Sequence, residues 1–363
     1  MILQSIFPPR IVPREVSIEL AIKKIEKINW LIIIFFIFSI NVNLFVSVIQ
    51  HDANAAGEPI KMGVKVWAPD FFSYVAQEKG FFQKNNVNVE LTLVQDYQEI
   101  LSKYFEGQFD GMIPVYSDAI YQNAQGMNSR VVYAMDFSNT GDVIIGAKNN
   151  FTDVDLKGKK ISVEGINTFS HLFVLKALQE IGLTEGDVEI VSIPVQNVTL
   201  EMEKGTIVAG HIYQPYLTEA LNKGYKVIFT AGTIPGIITD VISFRSNIID
   251  ERPKDVQAVI KSIIEAQRYY LNNKEDALKI MSMKSGIGEH EIREGLASVT
   301  LPSLEENFNS SMNSKSNDSS SLYVSGKSIS EFFLDRGQIG DYPDFNEILN
   351  PEFVVSLHDS GTK

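Results

Sequence analysis

KKISVEGINTFSHLFVLKALQEIG, residues 159–182, decides how this chain is built. Its first seven residues, 159–165, read as a short strand ending at a glycine. From Ser170 to Ile181 apolar residues recur at helical spacing until Gly182 stops the run. VEIVSIP at 188–194 follows as a second strand. Strand, helix and strand in that order form a βα unit, which implies a parallel sheet.

The same alternation continues outward in both directions. Upstream, strands are predicted at 61–68, 87–94, 109–115, 130–137 and 142–148, with helices at 71–80, 97–106 and through Tyr121. Downstream, strands are predicted at 206–213, 225–231 and 238–245, with helices near 199–204 and up to Lys223. Residues 253–284 are helical in pattern, with Val256, Ile260, Ile263 and Ile264 at helical spacing. The rest is mostly helical. Residues 309–321, NSSMNSKSNDSSS, are a polar low-complexity stretch, expected as a mobile surface insertion. No repeat of 20–50 residues is evident, which argues against a solenoid.

The chain has 363 residues, enough for about two domains. With 44% hydrophobic and 21% charged residues it can bury a sizeable core. Lys+Arg number 32 against 45 Asp+Glu, a net charge of −13. That balance argues against a nucleic-acid partner. The absence of cysteine removes disulfides, thiolate metal sites, cysteine nucleophiles and cysteine-linked lipid anchors.

Residues 30–49, WLIIIFFIFSINVNLFVSVI, are apolar and uncharged, and close to the length of a membrane-spanning helix. Lys23, Lys24 and Lys27 precede them, so the remainder of the chain is expected outside the cytoplasm. Ala53-Asn54-Ala55-Ala56 matches an A-x-A cleavage site. Residues 1–56 are therefore a signal peptide or a membrane anchor; the long leader favours the anchor and the A-x-A site favours cleavage. Sequons at Asn150, Asn197, Asn309 and Asn317 are glycosylation candidates.

Catalytic signatures are missing. There is no Gly-rich nucleotide loop, no G-x-S-x-G elbow and no HExxH. The histidines, His51, His171, His211, His290 and His358, never fall within four positions of one another. No metal and no cofactor is expected. Binding features are better represented. In open α/β sheets ligands bind beyond the carboxyl ends of the strands. That rule singles out Trp67, Asp70 and Tyr74 after the first strand, then Ser117 and Asp118, Asp136 and Ser138, Thr168 and Ser170, Gln214, and Asp240. Trp67 and Tyr74 would supply apolar wall, with a cap on the core as the rival reading of Trp67; Phe71 and Phe72 are expected to pack inward. Thr168 and Ser170 stand at a helix start, where free N–H groups and hydroxyls suit an oxyanion, unless they only cap the helix. Asp136 and Asp240 would repel that oxyanion unless they meet an ammonium group. Such a mixture suggests a ligand with an acidic and an amino end.

Several segments, in order, resemble the substrate-binding proteins of nitrate/sulfonate/taurine ABC importers, a family that includes proteins similar to thiamine-pyrimidine synthase. They are W-A-P-D (67–70) with A-Q-E-K-G-F-F (76–82), F-E-G-Q-F-D-G (105–111), A-M-D-F-S-N-T-G-D (134–142), D-L-K-G-K-K-I-S-V-E-G (155–165), E-K-G-T-I-V-A-G (203–210) with Q-P-Y (214–216), and I-P-G-I-I-T-D-V-I (234–242). The resemblance covers about residues 60–355. It implies a two-lobed type II periplasmic-binding-protein fold, α/β in class. Each lobe would be a mainly parallel sheet flanked by helices, with two crossing segments near 142–148 and 238–246. Lobe one would hold 57–143 and 241–300, lobe two 144–240, and helices of 301–363 would pack on lobe one. Where the family usually has Asp-Ala and Glu-Pro this chain has Val208-Ala209 and Gln214-Pro215. That departure leaves the cleft less negative and puts a cationic ligand in doubt.

The resemblance implies a monomeric extracytoplasmic solute-binding protein that hands a small anionic or zwitterionic ligand to an ABC permease and its ATPase. A thiamine pyrimidine precursor is the alternative ligand. A pyrimidine-synthase-like enzyme on the same fold is a further rival; that enzyme carries a cysteine-rich motif, which this chain lacks. A sensor ectodomain would need an output module, and only 29 residues precede the apolar run.

Overall fold

The structure, a computed structural model, describes residues 57–146 and 156–362. The apolar run, the cleavage site and the sequon at Asn150 lie outside the described residues. The asparagines of the sequons at Asn197, Asn309 and Asn317 are exposed, but Thr199 and Ser311 in the first two are buried. Among the described residues no helix is long and apolar enough to cross a membrane.

Short β-branched runs build the strands. They are β1 (Ile60–Lys65), β2 (Val89–Val94), β3 (Gly111–Met112), β4 (Ser129–Ser138), β5 (Asp142–Gly146), β6 (Lys160–Val163), β7 (Glu189–Ser192), β8 (Ala209–Tyr213), β9 (Lys226–Thr230), β10 (Thr239–Arg245) and β11 (Val299–Thr300). They form two sheets, ordered β11-β4-β10-β3-β1-β2 and β7-β6-β8-β5-β9. In each sheet a strand arriving from the other lobe, β10 or β5, is inserted beside the third strand of the lobe. Those inserted strands run antiparallel to their neighbours, whereas β1 with β2 and β3, and β6 with β7 and β8, are parallel. The sheets are thus mixed, which corrects the mainly parallel expectation. A chain that crosses twice must enter each sheet from the end where the other strands leave.

The crossings also move. Residues 142–146 and 239–245 are fully paired within their sheets, so the connections are 139–141 and 231–238. The two connections touch, Gly232 N–H donating to the Asn139 carbonyl at 2.6 Å. Gly141 leaves room for the Trp67 ring, whose edge would lie 2.7 Å from a Cβ there. The predicted strand 109–115 shortens to β3, because beyond Met112 the chain turns to bring Val115 beside Asp240.

Helices cover the sheets. Those that position the cleft or the core are α1 (Phe72–Glu78), α2 (Tyr97–Phe105), α3 (Tyr116–Ala124), α4 (Phe169–Glu180), α5 (Pro253–Asn272) and α6 (Leu322–Asp335). Helix α5 starts on Pro253, whose fixed φ suits the first turn. It buries Val256, Val259, Ile260, Ile263 and Ile264, each stabilising the fold by about 1.5–3 kcal/mol relative to exposure. Phe71 and Phe72 pack inward as expected, Phe72 edge-on to Tyr270 at 5.7 Å. Helix α6 packs on α3 through Phe333 and Tyr121.

Residues 309–321 differ from their composition. A π-helical turn, Asn307–Ser311, opens the stretch, and Ser311, Met312 and Ser321 are buried. Met312 is the apolar anchor, and local side-chain bonds such as Asp318 to the Ser320 N–H replace a regular element.

Candidate functional site

Register fixes where the polar groups meet. In β1 and β2 the pairing ends at Lys65 beside Val94, and in β10 and β4 Asp240 lies opposite Asp136. Because β10 is antiparallel, its beginning lies where β1, β3 and β4 end. In the second sheet Asp142, the first residue of β5, pairs with Tyr213, the last of β8. The carboxyl ends of one sheet and the start of its inserted strand thus share a rim, and the rims of the two lobes enclose a small cavity of about 20 Å³. Lys65, Trp67, Tyr97, Val115 and Asp240 line it from the first lobe, and Asp142, Phe169 and Tyr213 from the second.

Lys65 is its buried cation. Its Nζ donates to Asp70 Oδ1 at 2.7 Å, to the Ile113 carbonyl at 2.8 Å and to Asp240 Oδ2 at 2.9 Å. Burial alone would lower the lysine pKa, but Asp240, Asp70 and Asp136 outweigh it and hold the ammonium above its ordinary value. Burial raises the Asp70 and Asp240 carboxyls, and Lys65 pulls both back. Asp240 Oδ1 is buried and has no partner. Asp136 is pushed well up by burial and then by Asp240; it accepts from Trp67 Nε1 at 3.3 Å.

Aromatic rings complete the walls. Trp67 and Tyr213 meet edge to face, 5.7 Å apart at 89°, and Tyr97 meets Phe169 at 5.2 Å and 85°. Beneath Tyr213, Glu164 accepts the tyrosine hydroxyl at 2.9 Å, and burial pushes this carboxyl up to about 8. His211, fully buried, bonds Ser170 Oγ at 2.8 Å through Nδ1 and Asp142 Oδ1 at 3.1 Å through Nε2. Ser170 Oγ also accepts from the Glu164 N–H. In this serine–histidine–aspartate chain the aspartate, not the serine, faces the cavity. No serine, threonine or cysteine is among its lining residues.

The expected oxyanion place at the start of α4 is already taken. Asp118, on α3 of the other lobe, accepts the Phe169 N–H at 2.7 Å with Oδ1 and the Tyr97 hydroxyl at 2.8 Å with Oδ2. Burial raises this carboxyl to about 7, against the pull of those two donors. Thr168 donates its hydroxyl back to the Gly165 carbonyl at 2.8 Å, and Ser170 is bound as described. Thr168 and Ser170 therefore serve the loop and the helix start rather than the cavity.

Of the other sequence-derived candidates, Trp67 and Asp240 line the cavity, Asp70 braces Lys65 behind it, and Asp136 holds Trp67. Ser138 Oγ accepts from the Asp142 N–H at 3.0 Å and steadies the first crossing. Ser117 is buried beside Asp118 with its hydroxyl unpartnered. Tyr74 stacks on Phe71 at 5.9 Å and 28° and is outside the cavity lining. Gln214, at a cis bond to Pro215, accepts the Thr218 hydroxyl at 2.9 Å and faces a separate small depression. Tyr97, Asp142, Phe169 and Tyr213 were not singled out by sequence. Tyr97 follows a predicted strand and Tyr213 ends one, so the strand-end rule reaches both. Nothing in sequence marks Lys65, whose role depends on three partners up to 175 positions away.

A family model described as NMT1/THI5 like matches residues 70–277. The taurine-binding periplasmic protein of Escherichia coli (strain K12) is 33% identical over 128 residues, covering 34% of this chain and 39% of that protein. The chain thus matches about two fifths of the length of the curated relatives it aligns with. Among solved structures, the periplasmic aliphatic sulphonate binding protein SsuA from Escherichia coli superposes with a TM-score of 0.66 at 16% identity, over 80% of this chain and 97% of that one. The desulfurization enzyme DSZB superposes with a TM-score of 0.63 at 12% identity, over 84% and 99%. Those two likenesses show the fold, which binding proteins and an enzyme share.

Proposed function

This chain belongs to the NMT1/THI5-like family, and on that premise we propose that it is an extracytoplasmic solute-binding protein that hands a small ligand to an ABC permease and its ATPase. It would act as a monomer, with no cofactor and no bond made or broken. One observation carries this reading: the cavity is lined by both lobes, so a ligand in it would hold them together. Lobes of that kind close around ligand by a hinge, and 139–141 with 231–238 are the connections that would bend. That the wall presents carboxylates and aromatic rings but no serine, threonine or cysteine favours binding over catalysis. The periplasmic placement of the similar taurine- and sulphonate-binding proteins supports export, as does the apolar leader of residues 30–49.

A zwitterionic amino-sulfonate of taurine type fits best, because its ammonium end finds carboxylates. An aminopyrimidine precursor of thiamine is the alternative, favoured by the aromatic walls. The test is small-angle scattering and scanning fluorimetry of the full chain with taurine and with an aminopyrimidine. Binding should compact the particle and raise its melting temperature. Conversion of either compound to a product would replace the binding reading with an enzymatic one.

A further inference from the structure

We infer that the group this cleft recognises is a protonated amine of an organic ligand, anchored on Asp240, and that Asp118 keeps oxyanions from the one helix end that would hold them. The inference rests on the solute-binding reading above and adds the ligand chemistry.

Asp240 is 3% exposed and in the cavity wall. One of its oxygens is bound to Lys65, and the other is buried with no partner. A buried carboxylate oxygen calls for a donor. An ammonium group supplies the donor together with the opposite charge, which makes the shorter and stronger bond. Asp142 lies on the facing lobe in the same lining, and Asp136 stands behind Trp67. Lys65, the only lysine or arginine of the lining, already touches two carboxylates. The remaining walls are the rings of Trp67, Tyr97, Phe169 and Tyr213, surfaces that attract cations.

Several groups that would serve an oxyanion are already engaged. The first N–H of α4 and the Tyr97 hydroxyl go to Asp118, and the hydroxyls of Thr168 and Ser170 are engaged within their own loop and with His211. Asp118 is 2% exposed and belongs to the opposite lobe, so it takes, from across the cleft, the position a ligand anion would take. Among the described residues no three carboxylate or imidazole groups are placed together to hold a metal ion. The substitutions at Val208-Ala209 and Gln214-Pro215 that suggested a less negative cleft do not decide its charge, because the carboxylates that line it come from other strand ends.

Three probes separate the two ends of the ligand: taurine carries amine and sulfonate, ethanolamine the amine alone, and isethionate the sulfonate alone. Each is titrated calorimetrically into the full chain. Taurine and ethanolamine are expected to bind, and isethionate to bind at least tenfold more weakly than taurine. Asp240→Asn should weaken taurine at least tenfold while the chain still melts cooperatively, and Asp118→Asn should strengthen isethionate. The wild-type comparison stands even where a variant fails to fold. Isethionate binding as tightly as taurine overturns the inference and leaves the solute-binding reading in place. Unchanged taurine affinity in folded Asp240→Asn also overturns it. Binding of none of the three overturns both.

Discussion

Asp118 of one lobe accepts the N–H of Phe169, at the start of a helix in the other lobe, at 2.7 Å. The bond crosses the cleft without a ligand. A helix start carries roughly half a positive charge, and here a side chain of the same protein answers it. That contact makes the closed face of the cleft partly self-supporting.

Asp118→Ala should therefore cost stability. It leaves the Tyr97 hydroxyl and the Phe169 N–H buried without their acceptor, a loss of about 1–3 kcal/mol. Urea unfolding of the full chain measures it. Asp118→Asn, which keeps an acceptor, should lose less. Equal stability of Asp118→Ala and the wild type would mean that water replaces the carboxylate in full.

Stability without ligand should fall as pH rises. Asp118 and Glu164 have folded pKa values of about 7 and about 8, both raised chiefly by burial above the ordinary carboxylate values of 3.8 and 4.5. Between the unfolded and folded values the native state holds more protons than the unfolded chain. The stability they contribute is complete below about pH 4 and is lost as pH rises toward 8. Melting temperature of the unliganded chain should decline from pH 5 to pH 8.5. A flat profile would place ionised carboxylates there at neutral pH. Affinity for an amine should move the opposite way, since ionised carboxylates attract it.

Much of this arrangement was legible in the sequence, for a local reason. Strand ends are set by turn residues and by β-branched runs, so Trp67, Asp118, Thr168 and Asp240 were placed at the rim from patterns a few residues long. The error at Thr168 and Ser170 was one of partners. Their hydroxyls looked available because Gly165, Glu164 and His211 compete for them only in the folded chain. Lys65 was invisible for the same reason. The mixed pairing of the sheets was missed because strand direction does not affect periodicity. It follows from the two crossings, which the family resemblance implied and alternation alone did not.

Lys65→Met is expected to be among the most destabilising single changes in the cleft. Asp70 and Asp240 would lose their shared cation while remaining buried, and breaking such a group typically costs about 3–5 kcal/mol. Adding Asp240→Asn to Lys65→Met should recover part of the loss, because one carboxylate then needs no counter-charge. Chemical denaturation of both variants reads the difference. A double variant less stable than Lys65→Met alone would mean that Asp240 is held by something other than Lys65.

Trp67 and Ser170 should separate binding from stability. Trp67→Ala removes a wall ring and should weaken a bound ligand by about ten- to a hundredfold, or roughly 1–3 kcal/mol. Ser170→Ala takes a partner from His211 and from the Glu164 N–H, so about 1–3 kcal/mol of folding stability is lost. Affinity, measured by calorimetry below the melting range, should change little in Ser170→Ala. A large affinity loss there would return Ser170 to the ligand's direct contacts.

At the far rim the chain after α6 reaches from the first lobe to the second. Arg336 pairs with Glu185, and Gln338 donates to the Asn167 side chain. Asn167 has a φ of 63°, in the left-handed region, and its N–H meets His171 Nδ1 at 3.2 Å. Two residues later Phe169 binds Asp118, so the rim contact and the cleft contact share one short loop. Both members of the ion pair are partly exposed, the Glu185 side chain at 41% and that of Arg336 at 26%. Such a pair contributes about 0–1 kcal/mol and is screened by salt. If it favours the conformation that holds ligand, its loss lowers the competent fraction, and apparent affinity falls by the same factor. Arg336→Ala should therefore weaken ligand by up to about fivefold at low salt, chiefly through faster release, and by less at 0.5 M salt. Glu185→Gln should match it, and the two changes together should add little to either alone. Full additivity at low salt, or equal effects at both salt concentrations, would show that the two side chains do not act on ligand through each other.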